Sequence, residues 1–309
     1  MLRWSVPFPG PSAGIGAGLS KNERISSGQS RRRSLIIQPW RSPVDRAASP
    51  PTVPEFLLAP LLFLLPAAFL AGAVDAVVGG GGLIQIPSLF AALPGEAPAT
   101  LFGTNKGASV VGTSGAAWRY ASRIVMPWRT VLPAAAFAFS FSYLGAMAVA
   151  WLPREALRPL VLVLLVATAF HVWRRPQLGE AHRPAHRGAR EIVLAGALGA
   201  AIGFYDGFFG PGTGSFLIFL FVRGFGFDFL HASAAAKVVN VATNLAALAY
   251  FVPHGHWIPL LALAMALCNG AGSLLGSRLA LRHGSAFVRR AFLVVAAALI
   301  ARFAWDSFA

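Results

Sequence analysis

The sequence has few charged residues for its length. Asp, Glu, Lys and Arg make up 12% of the 309 residues, whereas 56% are hydrophobic. Soluble domains carry about twice that share of charge, so this chain lacks the polar surface that keeps a globule in water. Apolar windows of the roughly 20 residues that a spanning helix needs lie near 56–78, 100–121, 130–152, 157–173, 192–210, 232–252, 258–277 and 287–305. We therefore predict an all-α, polytopic integral membrane protein with about eight transmembrane helices.

Cysteine and metal-ligand patterns are also scarce. The single cysteine, Cys268, lies in an apolar window, so the chain has neither a disulfide framework nor a thiolate cluster. Histidines in the loops show no metal-ligand spacing, so we expect solvated side chains and no metal site. These histidines are His182, His186, His254 and His256.

Motifs of several enzyme classes are missing. The sequence has no nucleotide-binding G-x-x-x-x-G-K-[ST] motif, and its apolar helices contain no HExxH or GxSxG. The net charge of +15 comes from basic residues in the amino-terminal region and the loops, a distribution typical of the positive-inside rule rather than of nucleic-acid binding. We expect no catalytic residues, no cofactor and no nucleic-acid partner. A membrane-embedded enzyme and a structural or receptor-like membrane subunit stay among the candidate classes.

The chain is internally duplicated. Shifted by 131 residues, the sequence aligns Asp75 with Asp206 and Lys106 with Lys237, together with several glycines. Generic hydrophobicity would align leucines by chance, but it would not align all four of these charged residues within apolar windows at one offset. We infer two related membrane units.

The duplication divides the chain into four segments. Residues 1–55 are rich in Pro, Ser, Gly and Arg and are expected to form a disordered basic tail, with an upstream start-codon artefact as the alternative. Residues 56–174 and 191–306 are the first and second membrane repeats, and 175–190 is a polar, Arg-rich linker. The loop arginines reverse their distribution between the repeats, which favours inverted repeats, whereas the helix count per repeat also allows parallel ones.

Each repeat contains a short segment that follows a glycine break. The glycine runs VVGGGG (77–82) and FFGPGTG (208–214) precede short apolar stretches. At most about 12 residues long, such a stretch reaches roughly 18 Å as a helix and cannot cross a core of about 30 Å. Irregular backbone at membrane depth is tolerated only inside protein or around a water-filled cavity. Matching breaks in two repeats are typical of a transporter binding site.

Polar residues within the apolar windows outline this candidate site. Lys106 and Lys237 are the only lysines after the amino-terminal region, and a cation at the bilayer centre costs at least about 2.5 kcal/mol. Each therefore needs an anionic partner or a substrate. Asp75 and Asp206, each 31 residues before a lysine, are the expected partners within their own repeats. These aspartates either hold the lysines in place or contact the substrate directly.

The lysines belong to polar stripes. Lys237, Asn240 and Asn244 fall at positions i, i+3 and i+7 and so share one helical face. Lys106, Ser109 and Thr113 form the equivalent stripe in the first repeat. Glycine breaks expose backbone N–H groups, and the amino terminus of a short helix carries partial positive charge. Ammonium, amide and N–H donors together predict a site for a small anion. A proton or a sodium ion is the candidate coupling ion.

Two stretches closely resemble the TauE/SafE (TSUP, sulfite exporter) family of membrane transporters, and its YfcA-like branch most closely. They are LAGAVDAVVGGGGLIQIPSL with GTNKGASVVGT in the first repeat, and GFYDGFFGPGTGSFLIFLFVRGFGFDFLHASAAAKVVNVATN in the second. The resemblance covers about 56–305. It implies a multi-pass protein of the bacterial inner membrane that exports a small sulfur-containing anion, such as sulfite or an organosulfonate, by secondary transport.

The resemblance also implies a set of substrate-binding residues. The family signature falls on Asp75, Gly79, Gly80, Gly81, Gly82, Asn105 and Lys106 in the first repeat, and on Asp206, Gly210, Gly212, Lys237, Asn240 and Asn244 in the second. Pro211 and Thr213 interrupt the second glycine cluster, so the two repeats need not contact the substrate equally.

Overall fold

The structure, a computed structural model, describes residues 55–149, 182 and 188–308. Several sequence predictions lie partly or wholly outside these residues: the basic tail, the apolar windows at 130–152 and 157–173, the end of the first repeat, most of the linker, and His186.

Within the described residues all regular secondary structure is α-helical. The helices are α1 (Glu55–Val78), α2 (Gly82–Ala92), α3 (Pro98–Ala121), α4 (Trp128–Ala148), α5 (Ala189–Phe208), α6 (Thr213–Phe225), α7 (Phe229–Phe251) and α8 (Pro259–Phe308). Helix α8 is interrupted at Gly284, whose φ of 71° is left-handed. The windows at 258–277 and 287–305 thus flank one break.

Five helices in the described part of the chain are long and apolar enough to cross a membrane. The spans are Pro60–Val78 in α1, Pro259–Ala298 in α8, and the whole of α4, α5 and α7. Helix α3 is as long but carries the polar run GTNKGASVVGTSG. Helices α2 and α6 have 11 and 13 residues, too few to span a bilayer. These findings confirm the prediction of an all-α, polytopic membrane protein with short segments after the glycine breaks.

The surface of the bundle is apolar where the long helices face outward. Leu62 in α1 is 81% exposed, Val193 in α5 68% and Leu263 in α8 61%. Large exposed apolar surfaces are rare on soluble monomers. On a membrane protein such surfaces contact the lipid chains. The polar residues are inside instead, and α7 buries Ser233, Lys237 and several other polar side chains.

The two repeats pack against each other reciprocally. Helix α1 lies on α8, and α4 lies on α5. A Cβ added at Gly72 would be 2.0 Å from the backbone oxygen of Asn269, and one at Gly203 would be 2.5 Å from the backbone of Ala138. Under the 131-residue shift Gly72 corresponds to Gly203 and Ala138 corresponds to Asn269, so the two contacts are equivalent, with the roles of the repeats exchanged. Small residues let helix backbones approach closely, and here they bring the first helix of each repeat onto the fourth element of the other.

Candidate functional site

The two glycine breaks contact each other inside the bundle. Gly79, just after α1, has a φ of 74°, and a Cβ there would lie 2.2 Å from the carbonyl carbon of Gly214. The Ser215 N–H donates to the Gly79 carbonyl (3.2 Å), and the Ser215 hydroxyl donates to that of Val78 (2.8 Å). The end of α1 is thereby joined to the start of α6. Glycine is required at position 79 both for its conformation and for the close approach.

Two buried ion pairs cross between the repeats. Lys106 Nζ lies 2.5 Å from Asp206 Oδ2, and Lys237 Nζ lies 2.8 Å from Asp75 Oδ2. The lysine side chains are 4% and 0% exposed. The expectation that each lysine pairs with the aspartate of its own repeat is therefore wrong. The reciprocal packing sets the end of each repeat's first helix against the lysine-bearing helix of the other repeat.

A small polar cavity lies beside the ion pairs. Its volume is about 30 Å³, room for about two water molecules. Its walls come from both repeats. The lining residues are Asp75, Gly79, Gly82, Asn105, Lys106, Ser109, Thr113, Asp206, Gly210, Thr213, Gly214, Asn240 and Asn244.

The cavity wall carries polar groups that have no partner among the described residues. The amide oxygens of Asn105 and Asn240 are buried without a hydrogen bond. Gly82 and Gly214 lie in the first turns of α2 and α6, where backbone N–H groups point out of the helix end. A buried unsatisfied polar group costs about 1–3 kcal/mol, and an amide can turn to present either its oxygen or its NH₂. The wall is therefore suited to water or to a small polar ligand.

The predicted site residues fall into two groups. Nine line the cavity: Asp75, Gly79, Gly82, Asn105, Lys106, Asp206, Gly210, Asn240 and Asn244. The other four do not. Lys237 is fully buried against Asp75, while Gly80, Gly81 and Gly212 pack against neighbouring helices. A Cβ at Gly81, for example, would lie 2.6 Å from the Ala71 carbonyl oxygen.

Four lining residues were absent from the predicted set: Ser109, Thr113, Thr213 and Gly214. Signals for them are present in the sequence. Ser109 and Thr113 continue the polar stripe that begins at Lys106, and Gly214 ends the second glycine run. Thr213 donates to the Gly210 carbonyl at 2.7 Å, a local bond that is common for threonine near a helix start.

One loop histidine does not behave as expected. The ring centroid of His182 lies 4.2 Å from that of His231, and its Nδ1 lies 3.9 Å from Asp228 Oδ2. Burial, and then the neighbouring His231, lower the pKa of His182, and Asp228 partly opposes them. His182 is thus part of a side-chain cluster and not merely a solvated loop residue.

Comparison with known proteins points to one family. The family model described as "Sulfite exporter TauE/SafE" matches residues 64–303. "Probable membrane transporter protein ORF9" from Sinorhizobium sp is 35% identical over 246 residues, covering 80% of this chain and 93% of that protein. "Probable membrane transporter protein YfcA" from Escherichia coli (strain K12) is 34% identical over 254 residues, covering 82% and 93%. A "Probable membrane transporter protein" from Haemophilus influenzae is 30% identical over 247 residues, covering 80% and 95%. No solved structure matches the chain.

Proposed function

Because the chain belongs to the sulfite exporter TauE/SafE family, we propose that it exports a small anion, such as sulfite or an organosulfonate, by secondary transport across the bacterial inner membrane. The observation that carries the proposal is the polar cavity flanked by two crossed ion pairs. An ordinary structural ion pair does not require a cavity with unpaired amide groups beside it.

The chemistry of the wall favours an anion. Lys106 lines the cavity, so its ammonium group is within reach of a ligand, and Lys237 lies behind Asp75 and adds a second positive charge nearby. The amino termini of α2 and α6, near Gly82 and Gly214, add partial positive charge. An oxyanion accepts hydrogen bonds from ammonium groups and from helix amino termini, as the substrate of a discontinuous-helix transporter does.

The ion pairs also supply a coupling mechanism. An anion that takes Lys106 from Asp206 leaves a carboxylate buried without a cation, which is costly. A proton taken up by Asp206 removes that cost, so anion and proton move in the same direction. Outward movement is then driven by the concentration gradient of the anion. Sodium, held by Asp206 and amide oxygens, is the alternative coupling ion.

Access to the cavity involves the contact between the glycine breaks. With about 30 Å³, the cavity has room for water molecules but is small for an oxyanion. Gly79 and Gly214, which join the breaks, belong to different repeats. Relative movement of the repeats at this contact would enlarge the cavity and open it to one side. Such rocking of one repeat against the other is usual in secondary transporters.

The test is flux in proteoliposomes loaded with radiolabelled sulfite or sulfoacetate. We expect Lys106→Ala and Lys237→Ala each to lower efflux by more than about tenfold, the effect of losing about 1.4 kcal/mol of binding. Ser140→Ala, on an exposed helix face, is the control and should match the wild type. Unchanged efflux in both lysine variants would overturn the proposed site. Absence of flux in the folded wild type with either anion would contradict the proposed substrate class.

A further inference from the structure

A second polar cluster lies where the linker meets the second repeat. We name it the histidine cluster and define it as His182, Asp228 and His231. His182 belongs to the linker, Asp228 immediately precedes α7, and His231 lies in the first turn of that helix. One nitrogen or carboxylate oxygen from each of the three residues lies within 4.8 Å of the other two. The cluster shares no residue with the polar cavity.

Helix capping accounts for only one oxygen of Asp228. Its Oδ1 accepts a hydrogen bond from the backbone N–H of His231 (2.9 Å), which caps α7. Its Oδ2 faces both imidazoles, 2.5 Å from Nδ1 of His231 and 3.9 Å from Nδ1 of His182. A helix cap requires neither ring. The second oxygen is hydrogen-bonded to the His231 ring, and it also faces His182 of the linker, a residue that the cap does not need.

The carboxylate is held in place by a residue from a distant part of the chain. The Ser285 hydroxyl donates to Asp228 Oδ1 (2.8 Å) and accepts from the N–H of Leu230 (3.1 Å). Ser285 follows the break in α8 at Gly284, so the interruption of that helix puts the hydroxyl there. Outer hydrogen bonds of this kind are what orient carboxylates that bind metals.

The two imidazoles are also positioned by packing. The ring of His182 lies against those of His231 and Phe227, with centroids 4.2 and 5.0 Å away. One ring nitrogen of each imidazole faces Asp228 Oδ2, and a ring nitrogen is a common metal ligand.

We propose that the histidine cluster is a binding site for a divalent transition metal, with Zn²⁺ as the best match. Two imidazoles and one carboxylate are a usual set of protein ligands for zinc, with water in the fourth position. Ligand atoms around a tetrahedral zinc lie about 3.4 Å apart. Binding would therefore replace the hydrogen bond of 2.5 Å between His231 and Asp228 by a longer separation and draw His182, now 3.9 Å away, closer. The metal would tie the linker between the repeats to the start of α7, the helix that carries Lys237.

The test is zinc binding by the purified full chain in detergent, without an affinity tag and after dialysis against a chelator. We expect one Zn²⁺ per chain by elemental analysis. Competition with a zinc-responsive dye should show affinity lowered at least tenfold by His182→Ala and by His231→Ala. Ser285→Ala, which removes the outer hydrogen bond, should lower it by about tenfold. Co²⁺ in place of zinc should give the absorption bands of a tetrahedral site.

His254→Ala is the matched control, because His254 is also a loop histidine and contacts the Tyr250 carbonyl rather than the cluster. It should bind Zn²⁺ like the wild type. Each variant is first checked for an unchanged elution volume and melting temperature. The proposal is overturned if the wild type binds no stoichiometric zinc, or if folded His182→Ala and His231→Ala bind it as tightly as the wild type. Neither result depends on whether the protein transports an anion.

Discussion

Lys106 in the first repeat forms its ion pair with Asp206 in the second repeat, 2.5 Å away and 100 residues along the chain. The same relationship holds in reverse between Lys237 and Asp75. Each repeat thus supplies the counter-charge that the other needs, and neither repeat can bury its lysine alone. This mutual dependence makes the ion pairs both a structural link between the repeats and the first place where an anion would compete.

The crossed pairing predicts which double variants recover stability. Lys106→Ala leaves Asp206 buried without its cation, and removing one partner of such a pair costs about 3–5 kcal/mol. Adding Asp206→Asn should restore most of the lost melting temperature in detergent. The matched double variant Lys106→Ala/Asp75→Asn should melt lower than either single variant, since it removes a partner from both pairs. Better rescue by Asp75→Asn than by Asp206→Asn would contradict the pairing.

Coupling to protons predicts a specific loss of pH dependence. In wild-type proteoliposomes, efflux of an organosulfonate should accelerate when the interior is made more acidic than the exterior, because each anion leaves with a proton. Asp206→Asn is neutral at every pH and cannot carry that proton. Efflux by this variant should no longer respond to the imposed pH gradient, even where some flux remains. A sulfonate is the suitable probe since its own charge does not change across the tested range.

The control for this experiment is an imposed sodium gradient at equal pH on both sides. It should leave wild-type efflux unchanged. If sodium drives efflux and the pH gradient does not, the proton mechanism is wrong and the alternative coupling ion takes its place.

The contact between the glycine breaks predicts unequal tolerance of alanine. At Gly79 a side chain meets both a left-handed φ and the backbone of Gly214 at 2.2 Å. The conformation alone costs roughly 1–2 kcal/mol, and the clash adds to it. Gly79→Ala should therefore fold poorly or melt well below the wild type.

Gly80→Ala is the matched control at the neighbouring position. Its Cβ would have ordinary contacts from 3.4 Å outward, so the free energy of unfolding should change by less than about 1 kcal/mol. Fluorescence-detected size exclusion followed by thermal melting distinguishes the two, and equal tolerance would refute the close contact.

The unpaired amide on the cavity wall predicts a gain of stability with a loss of function. Asn240 has a buried oxygen without a partner, which costs about 1–3 kcal/mol. Asn240→Ala should therefore melt at the same or a higher temperature than the wild type, while anion efflux falls.

Asn269 provides the opposite case. It is equally buried, but its Nδ2 donates to Gln85 Oε1 (2.9 Å) and lies 3.3 Å from the Ala68 carbonyl. Asn269→Ala should lower the melting temperature, because a satisfied buried amide is lost. If Asn240→Ala also melts clearly lower, then Asn240 serves the fold and not the ligand.

Much of the architecture could be read from local sequence. The shortage of charge and the long apolar windows predict membrane helices because a helix in lipid satisfies its own backbone hydrogen bonds, wherever the other helices lie. The glycine runs before α2 and α6 mark the breaks for a similarly local reason, since those stretches are too short to span. The polar stripe from Lys237 to Asn244 follows from helical periodicity alone.

The sequence by itself thus determined the membrane environment, the duplication, the two breaks and the polar residues near them. Only the tertiary structure decided which aspartate each lysine contacts, which of the glycines line the cavity, and that His182 meets Asp228 and His231. These are relationships between residues far apart along the chain. Periodicity and composition describe one segment at a time, whereas the partner of a buried charge depends on how the repeats pack, and here they pack by exchanging partners.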